Sequence, residues 1–481
     1  MNERSKLLQV DNAHSSTRRV IYCVTFTIFL LALCTPFYPN KTSDVINRFS
    51  TSNISCPFRS YHETGYIKLT NKNDDYYFYW YSESRNDPKI APLVLWLSGG
   101  PGFSSMVALF LENGPCTLEN NTLRHNPFAW NNAANVIWLD QPTNVGFSYS
   151  NDIINDVDHN ETVVGESIYY FLQGFMEKHP ELRHRSFFIT GESYGGHYIP
   201  AVTHYILTQQ SIGLYKTLPL NLEGISIGNG YIDTITHTQH IFDIVENDYN
   251  VTLLHKTQLI QAEKAQKECI KQIRTCLKNP TLLFQTRRYC AVHVLSVLTH
   301  SGRNMYDLRL PSKGVNSTAN AYADFSSLTA FLNGPETRQF INVTYTQTPE
   351  WKYSDPQVAS DFAASLQFFQ SAMESITELL NQTTVRVLLY AGDTDLVCNW
   401  NVVQAVAMKL QWYGQRDFQK APSYPLRLSS SKEVGRVRSF DRLTLIRVFN
   451  AGHMVPADQP EVASTILNRF LRNESCVENV V

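Results

Sequence analysis

The sequence has no excess of positive charge: 41 Lys and Arg stand against 43 Asp and Glu, a formal net charge of -2. Nucleic-acid binders usually leave a basic footprint, so that class of partner is excluded. There is no internal repeat and no low-complexity tract. Charged residues make up only 17% against 43% hydrophobic, which excludes a disordered chain and leaves ample apolar mass for a core. No CxxC pair occurs, and His293 and His300 have no ligand-like spacing to the nearby Cys269, Cys276 and Cys290. A metal site is excluded on that ground. Long apolar runs are missing as well, with one exception near the N-terminus.

That exception runs from Val20 to Tyr38, broken only by Thr25, Thr27, Thr35 and Pro36, and follows Arg18 and Arg19. It is near the lower limit of roughly 17–25 residues for a membrane span. Two readings stand: a cleaved signal peptide with a long lead, or an uncleaved signal anchor that leaves residues 1–19 as a cytosolic tail. Both deliver the remainder to the secretory pathway, in a lysosome- or vacuole-like or extracellular lumen. The N-x-[ST] acceptor pattern agrees with that address. It recurs at Asn40, Asn53, Asn120, Asn160, Asn250, Asn316, Asn342, Asn381 and Asn473, all on one side of the apolar run. Beyond the run lie Cys56, Cys116, Cys269, Cys276, Cys290, Cys398 and Cys476. Seven is odd, so at least one thiol is free unless pairing is intermolecular.

The order of elements indicates an α/β fold. Gly65–Thr70 and Tyr76–Tyr81 are rich in aromatic and β-branched residues, as strands are. Pro92–Leu97, Asn135–Leu139, Phe187–Thr190 and Leu222–Ile227 are short apolar runs that suit strands covered on both faces. Val163–Lys178 carries apolar residues at helical spacing, and another helix should follow Gly196. This alternation predicts a mostly parallel central sheet with helices on both faces. From about residue 233 to 384 the chain turns polar and helical, then Val385–Tyr390 and Leu443–Phe449 resume strand character and Glu461–Leu471 closes as a helix. The middle stretch reads as a largely helical cap inserted into one domain. The expected organisation is a linker at 39–55, core at 56–232, cap at 233–384, core again at 385–472 and a tail at 473–481.

Gly191-Glu192-Ser193-Tyr194-Gly195 matches G-x-S-x-G between a predicted strand and a predicted helix, the context of a nucleophile elbow. Its glycines permit a tight turn that exposes Ser193, and the helix N-terminus beyond favours negative charge. A base and an acid should follow in the order Ser…Asp/Glu…His at later strand ends. Gly392-Asp393-Thr394-Asp395 follows one predicted strand and Gly452-His453 follows the next. His453 would take the serine proton and return it to the leaving amine; Asp393 or Asp395 would orient the imidazole.

Taken together, these motifs resemble the serine carboxypeptidases of the carboxypeptidase Y type. The resemblance rests on Trp96–Gly102 (WLSGGPG), GESYGGHYIP, the GD-x-D-x-x-CNW stretch ending at Trp400, and AGHMVPADQP. Glu112-Asn113-Gly114-Pro115 and Asp140-Gln141-Pro142 also match. It spans about Tyr61 to Leu471 and is weak through the cap. It implies the α/β-hydrolase fold, with Asp395 as the triad acid and Cys398 as an unpaired companion thiol. The six other cysteines then permit up to three disulfides. The backbone N–H groups of Gly100 and Tyr194 would form the oxyanion hole. Glu112 and Glu192 would share a proton and, with Ser98 and Trp96, hold the substrate's terminal carboxylate. Two close carboxyls cannot both ionise cheaply, so peptide cleavage should favour acidic pH.

The implied activity is removal of C-terminal amino acids from peptides and proteins through an acyl-enzyme, with water completing the reaction and no cofactor. A carboxypeptidase-like acyltransferase and a non-catalytic binding protein on the same scaffold are the alternatives. The pattern is departed from twice. Many relatives have Asn where Ser98 stands, and Cys or Gly where Phe103 stands, which leaves Phe103 to wall the cleft. Pockets for substrate side chains belong to the cap, where the resemblance gives no preference.

Overall fold

The computed structural model describes residues 59–212, 217–312, 325–428 and 432–476. A hairpin of β1 (His62–Lys68) and β2 (Asp75–Ser82) opens the fold. β3 (Leu93–Leu97) follows, then a small separate hairpin of β4 (Cys116–Glu119) and β5 (Thr122–His125). β6 (Asn135–Leu139), the short β7 (Tyr149–Ser150), β8 (Phe187–Glu192) and β9 (Leu222–Gly228) complete the first half. After the inserted segment, which holds a hairpin of β10 (Arg303–Asn304) and β11 (Asp307–Pro311), come β12 (Arg386–Gly392), β13 (Tyr424–Arg427), β14 (Glu433–Phe440) and β15 (Leu443–Val448).

The main sheet runs β1-β2-β6-β3-β8-β9-β12-β15-β14-β13. From β6 to β15 every neighbouring pair is parallel; the pairings outside that block are antiparallel. Successive side chains of a strand point to opposite faces. Thus Tyr77, Tyr79 and Tyr81 of β2 join one apolar cluster while Phe78 and Trp80 join the other. The helices Glu161–Lys178 and Gly195–Ile212 cover the first face. Met106–Leu111 and Pro460–Leu471 cover the second. Burial on both sides explains why β3, β6 and β8 are buried along their whole length.

Strand boundaries read from sequence hold to within a few residues. The β4–β5 hairpin and the antiparallel edge formed by β13 and β14 were not readable. Pro425 and Gly435 interrupt them, and Arg436 and Arg438 break the apolar pattern.

Between β9 and β12 a third apolar cluster forms from Ile241, Ile244, Ile273, Val294 and Leu298, and the Cys269–Cys290 disulfide ties it. The helix Met373–Gln382 then returns to the main core through Ile376, Leu379 and Leu380. Cys116 is disulfide-bonded, whereas Cys276, Cys398 and Cys476 are buried free thiols.

Among the described residues no helix is long and apolar enough to cross a membrane, and residues 20–38 lie outside them. Of the acceptor asparagines, Asn120, Asn250, Asn342, Asn381 and Asn473 are exposed. Asn160 is partly buried and caps the helix Glu161–Lys178 by accepting from Val163 N. Asn40, Asn53 and Asn316 lie outside the described residues.

Candidate active site

The turn between β8 and the helix Gly195–Ile212 holds Ser193 at φ +59°. A non-glycine residue in that region is strained and persists only where its surroundings fix it. Here Ser193 N donates to Gly228 O (3.0 Å), and Ser193 O accepts from Gly196 N (2.9 Å) and Tyr231 N (2.8 Å). The neighbouring backbone presses close. A Cβ on Gly191 would lie 2.1 Å from Leu97 O, and one on Gly99 would lie 2.4 Å from Tyr194 N. Side chains are excluded at both positions, so the β3 and β8 loops can touch.

His453 and Asp395 reach the same end of the sheet from β15 and β12. His453 Nδ1 donates to Asp395 Oδ2 (2.7 Å), and both side chains are buried. The same Oδ2 accepts from Asn229 Nδ2 (2.8 Å) and Cys398 N (3.1 Å), while Oδ1 accepts from Val397 N (2.8 Å). Asp393 faces elsewhere: it accepts from Tyr249 OH (2.7 Å) and Asn450 N (2.9 Å) and pairs with Arg447 (3.2 Å). Of the two candidate aspartates, Asp395 is therefore the one in contact with the imidazole.

Ser193 and His453 line one cavity of about 330 Å³, together with Gly100, Tyr194, Cys398 and Phe103. Among the described residues, neither Gly100 N nor Tyr194 N has an acceptor within the protein. Two unclaimed N–H groups beside a serine are what a developing oxyanion needs. Burial holds the Cys398 thiol well above its ordinary pKa, so it is a neutral wall group.

Glu192, directly before Ser193 in the chain, forms a buried carboxyl pair with Glu112, and neither lines that cavity. Burial pushes Glu112 up to about 8 and raises Glu192 well above its usual range, with the charge of Glu112 adding to the effect on Glu192. Neither oxygen of Glu112 has a donor among the described residues. Two ionised carboxyls only accept, so this pair can bond internally only when it holds a proton. Nearby, Trp96 Nε1 donates to Ser98 Oγ (3.0 Å). The Ser98 hydroxyl hydrogen is thereby left to donate.

Three features were not singled out in the sequence. Asn229 holds Asp395 from the end of β9; its only signal was a polar residue directly after a buried strand. The β10–β11 hairpin stitches the cap to both acid and base loops through Leu396 N to Met305 O (3.0 Å), Leu308 N to Thr394 O (2.8 Å) and His453 N to Tyr306 O (2.8 Å). Behind the elbow, Tyr194 OH donates to buried Glu161. Nothing local marks such long-range contacts.

The profile of the serine carboxypeptidase family matches residues 53–473. A carboxypeptidase Y homolog A from Arthroderma gypseum is 34% identical over 419 residues, covering 85% of this chain and 74% of that protein. The homolog from Sclerotinia sclerotiorum is 35% identical over 415 residues, covering 85% and 72%. The structure of Kex1Δp, a prohormone-processing carboxypeptidase from Saccharomyces cerevisiae, shares the fold with a TM-score of 0.76 at 24% identity, over 88% of this chain and 94% of that one. The chain belongs to the serine carboxypeptidase family and is a hydrolase of the carboxypeptidase Y type.

Proposed function

We propose that Ser193, His453 and Asp395 form the catalytic triad for release of single amino acids from peptide C-termini. His453 takes the Ser193 proton as Oγ attacks the last peptide carbonyl. Asp395 holds the imidazole through Nδ1 and stabilises its cationic form. The N–H groups of Gly100 and Tyr194 receive the oxyanion. The amino acid leaves with the proton from His453, and water then releases the shortened peptide from the acyl-enzyme by the same steps in reverse order.

The observation that carries this reading is the buried Glu112–Glu192 pair beside the nucleophile. A protonated carboxyl there donates to a substrate carboxylate, and Ser98 Oγ, backed by Trp96, adds a second donor. Transfer of the acyl group to an alcohol that carries no carboxylate does not call for such a pair. Work in an acidic lumen, reached by a signal peptide or signal anchor at 20–38, fits the Cys269–Cys290 disulfide and the exposed acceptor asparagines.

The test is digestion of N-blocked peptides at pH 5, read by mass spectrometry, with Ser193→Ala as control. Stepwise C-terminal loss by the native protein alone is expected. Intact peptides with both proteins would remove the exopeptidase reading.

A further inference from the structure

The cavity that holds Ser193 is roofed by the cap helix Leu283–Cys290, which contributes Arg287 and Arg288 to its wall. Among the described lining residues there is no carboxylate to balance them. Arg288 is exposed at the rim, while Arg287 is partly buried. The Arg287 guanidinium lies 5.8 Å from the centre of the Phe368 ring and has no hydrogen-bonding or acidic partner among the described residues. Partial desolvation lowers its pKa, and among the described residues the ionisable groups that bear on it are Tyr194 and Tyr231, both neutral phenols. An unpaired, half-desolvated arginine is unfavourable. It stays charged, and it lacks the anion its planar fork is shaped to hold.

Its place relative to the sheet says which substrate residue it meets. Tyr194 and Tyr231 belong to the apolar cluster on one face, with Phe368 packed against it. Trp96 and the helix Met106–Leu111 that precedes Glu112 belong to the opposite face. The terminal residue of a peptide, held by its carboxylate, lies on the Trp96 side of Ser193. The residue that supplies the scissile carbonyl then lies on the Tyr194, Phe368 and Arg287 side.

We propose that Arg287 makes this enzyme select peptides whose penultimate residue is acidic, pairing with an Asp or Glu side chain on the acyl side of the cut. Phe368 supports the guanidinium from below by a cation–π contact, and Arg288 supplies a second positive charge where the chain enters. The inference rests on the exopeptidase reading given above.

The test compares kcat/KM at pH 5.5 for three N-blocked dipeptides ending in Phe, with Glu, Leu or Lys before it. The native protein should cleave the Glu substrate on the order of 10–100-fold better than the Lys substrate, the range set by one hydrogen-bonded ion pair in a partly desolvated site. Arg287→Met should bring the Glu-to-Leu ratio down by a similar factor. Arg287→Glu should turn the preference toward Lys. Ratios within one enzyme cancel any general loss from a damaged cap. Equal rates for Glu and Lys, or a Glu-to-Leu ratio untouched by Arg287→Met, would overturn the assignment while leaving the exopeptidase intact. Failure to cleave any of the three would take down both readings together.

Discussion

Asn229 Nδ2 donates to the same oxygen of Asp395 that receives His453 Nδ1, at 2.8 and 2.7 Å. Asn229 Oδ1 in turn accepts from Gly392 N (3.1 Å), so one side chain locks the β9 loop, the β12 loop and the acid together. Asn229→Ala removes a donor from a fully buried carboxylate, an effect worth about 1.5–3 kcal/mol. The expected result is a fall in kcat/KM on the order of 10–100-fold together with a lower unfolding midpoint. Unchanged kinetics on a blocked dipeptide would show that Asn229 does not position Asp395.

If the Glu112–Glu192 pair holds the substrate carboxylate as proposed, it sets the pH response of peptide cleavage. At low pH the pair keeps its proton and can donate to the substrate carboxylate. As pH rises toward about 8, where burial has placed Glu112, the pair begins to lose protons and negative charge builds up against the substrate carboxylate. kcat/KM for a peptide acid should therefore decline on the alkaline side, chiefly through KM. The matching peptide amide has no carboxylate to repel, so its profile should not show that decline. Parallel profiles for acid and amide would refute the role given to the pair.

Stability follows the same protons. A carboxyl whose pKa is raised on folding binds more protons in the native than in the unfolded state between the two pKa values. Stability tied to it is complete below the ordinary value of 4.5 and is lost as pH climbs to about 8. Glu112→Gln removes that titration. Its unfolding midpoint should rise relative to the native protein at pH 8, and the advantage should shrink at pH 5. Thermal melts at the two pH values decide the sign.

Gly99 offers a steric test. A methyl there would meet Tyr194 N at 2.4 Å, Glu192 O at 2.7 Å and Ser193 Cβ at 2.8 Å. Backbone must move to admit it, and an overpacked site typically loses about 1–3 kcal/mol. Because the atoms displaced are the nucleophile's own neighbours, Gly99→Ala should cost on the order of 100-fold in kcat, far more than its stability loss implies. Near-normal kcat would mean that the elbow tolerates a different geometry.

Cys398 is buried at the cavity wall with its thiol pKa held well above the ordinary value. Thiolate is the reactive form. Iodoacetamide at pH 7.5 should leave Cys398 unlabelled in the native protein and label it after unfolding, as peptide mapping would read. Rapid native labelling would contradict its burial.

What could be read from the sequence was whatever is local in the chain. Ser193 announced itself through its flanking glycines, and His453 through its position after a buried strand. The parallel sheet was legible because strands covered on both faces are unbroken apolar runs, as in LVLWL and the VIWL of residues 136–139. The choice of Asp395 over Asp393 came from resemblance alone, since both follow the same strand by a few residues. Asn229, Glu161 and the clamp of Tyr306 on His453 left no local trace, because each acts across a gap of tens to hundreds of residues. The edge strand Tyr424–Arg427 was hidden by its proline, which an edge position tolerates, and its neighbour Glu433–Phe440 by glycine and charge. Nothing in the sequence singled out Arg287; its place on the cavity wall did.

The cradle of Asp395 has a consequence for synthesis. Its two side-chain partners come from positions 166 residues before the acid and 58 residues after it. A polypeptide still emerging from the ribosome can display the serine elbow long before it displays a base. The contact between Asp395 and His453 cannot form until β15 and the loop after it have docked, so acid and base meet only once most of the chain has been made.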